Sequence, residues 1–244
     1  MQLYQPKDGY CFNSDTHFLF NFITQSLSKF KNIYGELLDI GSGSGVLGLL
    51  VCKEFEKLNL NSCEIQNDFA FLTSKNAKVN GIELNLYHKS FLENTFDKEF
   101  DMIVSNPPFY PSSVVQSTNE NIKIARYNDN LPLKEFITKT SRILKPQGKF
   151  FFCYDVKLLN DIMIFLKQNN LNIEAIQFLH PKKDKKASLV MIYSRKNSKS
   201  LMDILPPLIM FENNELSNEV QNIYKKCNTH SIKVDLQGDE LDRA

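Results

Sequence analysis

Short apolar runs alternate with segments of helical periodicity between residues 36 and 195, and this alternation constrains the fold more than any other feature. It is typical of successive β-α units that build a mainly parallel sheet. The pattern predicts seven strands, among them runs that end near Ile40, Glu64 and Ser105. The last two, at about 173–179 and 189–195, are joined only by a Lys-rich loop, which predicts an antiparallel hairpin at the sheet edge. The predicted fold class is therefore α/β.

The chain is expected to comprise a core and two flanking segments. An apolar stripe from Thr16 to Phe30 predicts one helix on the core, so residues 1–35 are interpreted as a helical cap segment. Residues 36–200 form the predicted core. Residues 201–244 form a C-terminal extension that is expected to be mobile near its end.

Composition excludes several classes of protein. With 42% hydrophobic residues the chain can bury one sizeable core, and a net charge of +1 excludes a global basic or acidic field. Five scattered cysteines without a C-x-x-C pair, and four isolated histidines, indicate reduced thiols and no metal site. The sequence shows no leader and no apolar window long enough to span a bilayer, which predicts a cytoplasmic protein with no membrane partner.

A glycine-rich loop follows the first strand of the predicted core. It reads Asp39-Ile40-Gly41-Ser42-Gly43-Ser44-Gly45, and its glycines let a ligand approach backbone that a Cβ would block. Glu64 ends the neighbouring strand, where it can accept hydrogen bonds from ribose hydroxyls. The pair predicts a nucleotide-like ligand. The alternative is a turn selected for tight helix-to-sheet packing, accompanied by an exposed glutamate.

This D-x-G-x-G-x-G loop resembles motif I of the class I S-adenosylmethionine-dependent methyltransferases. The resemblance implies a Rossmann-like methyltransferase sheet and S-adenosyl-L-methionine as cofactor. It also implies Asp39 near the methionine moiety and Glu64 on the ribose, with the backbone of Gly41, Gly43 and Gly45 along the cofactor. Ser90 stands where many relatives have an acid that binds the adenine amino group, and Phe91 is predicted to stack on that ring.

A second motif, Asn106-Pro107-Pro108-Phe109, directly follows the fourth strand of the core. The prolines remove two backbone donors and stiffen the turn, so the carbonyls of Asn106 and Pro107 can stay free to accept hydrogen bonds from a ligand. Acceptors aimed at the two N–H bonds of a conjugated amino group favour the pyramidal nitrogen that attacks a methyl donor. Phe109 is predicted to stack on a planar substrate. The structural alternative is an ordinary chain stop followed by a core phenylalanine.

These four residues resemble the [DNS]-P-P-[YFW] motif of methyltransferases that modify amino or amide nitrogens of adenine, guanine or glutamine. The resemblance implies catalytic roles for Asn106, Pro107 and Phe109. Three flanking segments resemble parts of the bacterial tRNA(Val) anticodon-loop adenine-N6 methyltransferases. They are Gln5 to Asp15, Ala125 to Leu133 and Ile209 to Tyr224. The resemblance implies tRNA as the partner. Protein-glutamine N5-methylation, another rRNA or DNA amino-methylation, and an NAD-dependent reductase remain as alternatives.

One dense basic segment supports an RNA partner. It contains the candidate phosphate ligands Lys182, Lys183, Lys185 and Lys186. Arg126 is a separate candidate for a phosphate or base contact. The alternatives are a solvated loop for the lysines and a surface salt bridge for Arg126.

Overall fold

A computed structural model describes residues 1–7, 11–107 and 131–236 of the chain. The strands, in chain order, are β1 (Gln2–Pro6), β2 (Gly35–Ile40), β3 (Leu58–Glu64), β4 (Leu84–His88), β5 (Phe100–Ser105), β6 (Leu144–Asp155), β7 (Leu171–Lys182), β8 (Leu189–Lys196), β9 (Asp203–Ile204), β10 (Leu208–Glu212), β11 (Glu215–Leu216) and β12 (His230–Val234). The described helices are α1 (Ser14–Leu27), α2 (Val46–Glu54), α3 (Asn67–Val79), α4 (Leu133–Ile143), α5 (Leu159–Gln168) and α6 (Asn218–Cys227).

Seven strands form the central sheet in the order β4-β3-β2-β5-β6-β8-β7. All neighbours in this row pair in parallel except β8, which is antiparallel to both β6 and β7. The predicted seven-stranded α/β sheet with an antiparallel hairpin is confirmed. The sheet continues beyond the hairpin, because β10 pairs in parallel with β7 and β11 pairs with β10. The hairpin is therefore not the outermost pair of strands.

The register brings the ends of several strands to one edge, here called the carboxyl edge. Ile40 lies opposite Cys63 on β3, and Ser105 lies opposite Phe152 on β6. Because β8 runs the other way, its first residue Leu189 lies opposite Asp155, the last residue of β6. The loop between β7 and β8 thus reaches the same edge as the residues that follow β2, β3 and β5.

The core is built from side chains of the central strands and of α1. Phe150, Phe151 and Phe152 on β6 are fully buried, as is Tyr193 on β8, which stacks on Phe151 at a ring-centroid distance of 4.4 Å. Helix α1 buries most of its residues, because it is covered by the sheet, by α2 and by α6. This packing explains the long apolar stripe in the sequence.

Several described elements were not predicted, among them α5 and the small sheet of β1 and β12. Helix α5 lies between β6 and β7, and β12 pairs in parallel with β1 as a separate two-stranded sheet. The backbone of residues 230–234 is paired in β12, and the expected mobility near the end of the chain stays a prediction. Residues 237–244 lie outside the described residues. The division into cap, core and extension stays a prediction.

Among the residues that the structure describes, no helix is both long enough and apolar enough to cross a membrane. Nor do those residues bring together three or more His, Cys, Asp or Glu side chains in a group that holds a metal ion.

Candidate active site

The glycine-rich loop between β2 and α2 is held open by its backbone conformation. Gly41, Gly43 and Gly45 have φ angles of 65°, 55° and 83°, the left-handed region that glycine adopts without steric cost. The Gly41 and Ser42 N–H groups donate to the carbonyl of Cys63 on β3 at 2.8 and 3.3 Å. Apart from the adjoining residues, no atom of the described chain lies within 4 Å of where a Cβ would stand on Gly41 or Gly43. The backbone at these two positions is therefore open to a ligand.

Asp39 lies beneath the loop and is tied to the first turns of α2. The Gly48 N–H donates to Asp39 Oδ2 at 2.9 Å, and a Cβ on Gly48 would come within 3.0 Å of the same oxygen. Asp39 is only 1% exposed. Burial raises the pKa of its carboxyl to about 7, an effect that the Gly48 N–H opposes and the nearby Glu64 carboxylate adds to. Asp39 is thus a buried acid that a cationic ligand group would stabilise in its ionised form.

Glu64 connects the loop to the end of β3. Its Oε2 accepts from the Gly43 N–H and its Oε1 from the Gln66 N–H, both at 2.8 Å. Glu64 is 5% exposed, so the alternative of a simple exposed glutamate is wrong. Burial raises its pKa, while these backbone donors act in the opposite direction. A carboxylate has about four lone-pair positions, which leaves acceptor capacity for ribose hydroxyls.

Strand β1 and helix α3 support the loop from behind. Gln5 is fully buried, and its Nε2 donates to Ser44 Oγ. Asn76 Nδ2 donates to the Ser44 carbonyl at 2.8 Å and to the Tyr4 carbonyl at 3.0 Å. Thr73 Oγ1 donates to the Gly43 carbonyl. The sequence analysis did not identify Asn76 or Thr73, because ordinary helical residues carry no local signal for a contact about 30 positions away.

Asn106 follows β5 and is fixed by residues from two other elements. Its Nδ2 donates to Thr16 Oγ1 on α1 at 3.0 Å, and its Oδ1 accepts from the Cys153 thiol on β6 at 3.0 Å. Before it, Ser105 Oγ donates to the Ile40 carbonyl at 2.8 Å, which joins the ends of β5 and β2. Pro107 is buried. The predicted residues Phe109 and Arg126 lie outside the described part of the chain.

A cleft at the carboxyl edge brings the two sequence motifs together. Its walls contain two phenylalanines from outside the motifs, Phe12 and Phe69, together with Thr16. The motif residues that line it are Asp39, Gly41, Ser42, Gly43, Ser44 and Asn106. Both motifs directly follow strands of the parallel sheet in the sequence, and the structure brings them to one edge. Phe12 lies within the N-terminal segment that carried the family resemblance, whereas Phe69 was missed.

Ser90 and Phe91, the predicted adenine contacts, are not in the described wall of this cleft. The Ser90 carbonyl closes a turn by accepting from the Glu93 and Asn94 N–H groups. Phe91 is 6% exposed and packs edge-on against Phe136, with the Lys139 ammonium 5.4 Å from its ring centroid. Phe91 thus contributes to the core, and its stacking on a cofactor ring stays a prediction.

The basic segment lies in the β7–β8 loop, which also reaches the carboxyl edge. Lys183, Lys185 and Lys186 are exposed. Lys182 differs from them, because it is half-buried and donates to Asn214 Oδ1 at 2.6 Å. Only β6 separates β5 from β8 in the sheet, and neighbouring strands lie about 4.8 Å apart. The start of β8, where the loop ends, is therefore about 10 Å along the edge from the end of β5.

Comparison with known proteins identifies the family. Residues 15–176 match the family model described as the methyltransferase small domain, which spans most of the chain. This chain belongs to that family. Membership makes the chain a methyltransferase of the S-adenosylmethionine-dependent class, and the open backbone beside Gly41 and Gly43 and the spare acceptor capacity of Glu64 fit that cofactor.

Relatives of this methyltransferase carry two kinds of name. A Dyadobacter fermentans protein named tRNA1(Val) (adenine(37)-N6)-methyltransferase is 25% identical over 75% of this chain and 77% of its own length. A Pedobacter heparinus protein of the same name is 26% identical over 64% of this chain and 67% of its own. A Buchnera aphidicola protein named release factor glutamine methyltransferase is 28% identical over 61% of this chain and 56% of its own.

Solved structures share the fold of this methyltransferase. An Agrobacterium tumefaciens protein described as a predicted O-methyltransferase aligns with a TM-score of 0.65 at 15% identity, over 90% of this chain and 99% of that one. The T. thermophilus 16S rRNA N2 G1207 methyltransferase, solved with AdoMet and guanosine, aligns with a TM-score of 0.55 at 20% identity, over 77% of this chain and 44% of that one.

Proposed function

We propose that this methyltransferase transfers a methyl group from S-adenosylmethionine to N6 of an adenine in a tRNA anticodon loop. The observation that carries the proposal is the cleft in which Asn106 stands beside the open glycine loop. This arrangement brings an amide acceptor for a substrate amino group next to the residues that would hold the methyl donor.

The chain's own groups are suited to binding and orienting the two reactants. When bound, S-adenosylmethionine supplies an electrophilic methyl group on a sulfonium. Glu64 would hold its ribose, and Asp39, in ionised form, would favour its cationic amino group. Asn106 Oδ1 and the Pro107 carbonyl would accept from the two amino hydrogens of the base, which favours the nitrogen lone pair needed for attack.

RNA is favoured as the substrate by the position of the basic loop. Three exposed lysines lie in the loop before β8, on the same edge of the sheet as Asn106, a position that suits contact with phosphates flanking a base in the cleft. An unpaired loop base costs less to extrude than a paired one. Relatives named tRNA1(Val) (adenine(37)-N6)-methyltransferase give the same substrate class, and those named release factor glutamine methyltransferase give the competing one.

The substrate is tested by labelling. The chain is incubated with tritiated S-adenosylmethionine and with total tRNA, rRNA or protein fractions side by side. We expect label in tRNA and N6-methyladenosine among its nucleosides by mass spectrometry. Label in protein as methylated glutamine, with none in RNA, would indicate that the substrate is glutamine and not adenine. If NADH binds the chain while S-adenosylhomocysteine does not, the methyltransferase mechanism itself is wrong.

The role of the basic loop is tested with a charge-matched control. A Lys183→Ala, Lys185→Ala, Lys186→Ala variant is compared with a Lys31→Ala, Lys57→Ala, Lys199→Ala variant, whose exposed lysines lie near the opposite edge. Each phosphate contact contributes about 0.9 to the slope of log K against log salt for duplex nucleic acid and about 0.7 for single strands. We expect the loop variant to bind tRNA more weakly with a slope shallower by about 2, and the control to behave as wild type. Equal losses of tRNA affinity in the two variants would show that this loop is not part of the RNA-binding surface.

A further inference from the structure

The residues of its own motif do not determine which end of the Asn106 side-chain amide faces the substrate. The two ends of an asparagine amide are similar in shape but opposite in chemistry, because the oxygen accepts hydrogen bonds and the nitrogen donates them. Rotation by 180° about the Cβ–Cγ bond would point the NH₂ group at a substrate amino group. The reaction in the proposed function needs the oxygen end to face the substrate.

Both ends of the amide are occupied by side chains from outside the motif. Thr16 Oγ1, on the first turn of α1, accepts from Asn106 Nδ2 at 3.0 Å, and the Cys153 thiol on β6 donates to Asn106 Oδ1 at 3.0 Å. Thr16 is 5% exposed and Cys153 is fully buried. The two partners of the amide are therefore themselves largely shielded from water.

The protonation of Cys153 selects one of the two orientations. Burial raises the pKa of its thiol well above the ordinary value, so the sulfur carries a hydrogen at neutral pH. The reverse orientation would point an amide N–H at this thiol and leave the buried S–H without its acceptor. The observed orientation satisfies the S–H and leaves the second lone pair of Oδ1 available in the cleft that Asn106 lines.

We infer that Thr16 and Cys153 are positioning residues that hold the Asn106 amide with its oxygen toward the substrate amino group. This inference rests on the proposed function only for the identity of the methyl acceptor. It applies equally to an adenine amino group and to a glutamine amide, since both present two N–H bonds to the same acceptor.

Conservative and disruptive variants at each position test the inference. Thr16→Val keeps the shape and removes the acceptor, whereas Thr16→Ser keeps the hydroxyl. Cys153→Ala removes the donor, whereas Cys153→Ser keeps one. We expect Thr16→Val and Cys153→Ala each to lower kcat about tenfold, with KM and the Kd of S-adenosylhomocysteine within about twofold of wild type. The two serine variants are expected to stay within about threefold of wild-type kcat.

A double-mutant comparison separates positioning from general damage. In an Asn106→Ala background the Thr16→Val and Cys153→Ala changes should alter the residual kcat by less than about twofold, because no amide remains to be oriented. Losses of the same size in both backgrounds would overturn the inference. So would serine variants that are as impaired as the valine and alanine variants.

A measurement without turnover keeps the inference testable whatever the substrate is. In ¹⁵N–¹H NMR spectra the side-chain signals of Asn106 are assigned by their loss in Asn106→Ala. We expect Thr16→Val and Cys153→Ala to move these signals strongly and the serine variants to move them less. Unchanged Asn106 signals in Thr16→Val and Cys153→Ala would refute the inference even if tRNA methylation is confirmed. Absence of methylation with the expected NMR shifts would refute only the proposed function.

Discussion

Replacing Asp39 by asparagine should make the protein more stable at neutral pH while weakening its cofactor binding. The Asp39 carboxyl is buried with one backbone donor, and burial raises its pKa to about 7 from the ordinary value of 3.8. Asp39→Asn keeps an oxygen that can accept from the Gly48 N–H and removes the buried negative charge. No volume is lost, so the comparison isolates the cost of ionisation.

The sign and size of the effect follow from linkage. Because the folded-state pKa lies above the unfolded one, the stabilising contribution of the bound proton is complete below about pH 4 and is lost as the pH rises through about 7. One pKa unit corresponds to about 1.4 kcal/mol. The shift to about 7 therefore costs about 4 kcal/mol of unfolding free energy above neutrality, of which about 2 kcal/mol is lost between pH 5 and pH 7.

Urea denaturation at several values between pH 5 and pH 8 tests this prediction. The stability advantage of Asp39→Asn over wild type should grow by about 3 kcal/mol across the range. Asp161→Asn, which removes an exposed carboxylate on α5, serves as the control and should show no such growth. Parallel pH profiles for wild type and Asp39→Asn would refute the reasoning.

The same carboxyl should make cofactor binding depend on pH. Below pH 7 the affinity of wild type for S-adenosylmethionine should rise by up to about tenfold per pH unit, because only ionised Asp39 favours the cationic amino group. Calorimetry on Asp39→Asn should show weaker binding and a flat profile. If the affinity of wild type depends on pH as little as that of the variant, Asp39 does not take part in cofactor binding.

Three further predictions concern single side chains. Glu64→Ala should weaken S-adenosylhomocysteine binding by about 1.5 to 3 kcal/mol in calorimetry, since it removes a charged hydrogen-bonding group, and an unchanged Kd would contradict its ribose role. Asn106→Ala should lower kcat by about a hundredfold or more while cofactor affinity stays constant, and near-normal turnover would remove its catalytic role. Phe151→Ala should lower the unfolding free energy by about 3 to 5 kcal/mol, because the ring is fully buried against Tyr193 and Phe22; a loss below about 1 kcal/mol would contradict that packing.

The central sheet could be predicted from the sequence because each of its strands has a local signal. Apolar runs such as the one ending at Ile40 are followed by glycines or prolines, and the period changes from two to that of a helix. The site was predictable for the same reason, since parallel strands bring the residues after Ile40, Glu64 and Ser105 to one edge.

Two of the missed elements differ in this respect. In α5 a local signal is present, because Leu159, Ile162 and Leu166 recur at helical spacing and the last two are buried, so this helix was open to prediction. Strand β12 is largely exposed and forms by backbone pairing with β1. No pattern of side chains predicts this pairing. The partners of Asn106 could not be found for a related reason. Thr16 and Cys153 are ordinary residues in their own elements, and only the folded chain brings them to the amide.

The pairing of β1 with β12 has a consequence for the order of folding. Its contacts join positions about 227 residues apart, as between Pro6 and Lys233. Closing so long a loop is entropically costly until the intervening chain is compact. Strand β1 therefore gains this partner only after the residues between the two strands have been synthesised and have become compact. Gln5, which supports Ser44 in that loop, lies on the same strand. The final adjustment of the cofactor site is thus linked to the pairing of β1 with β12.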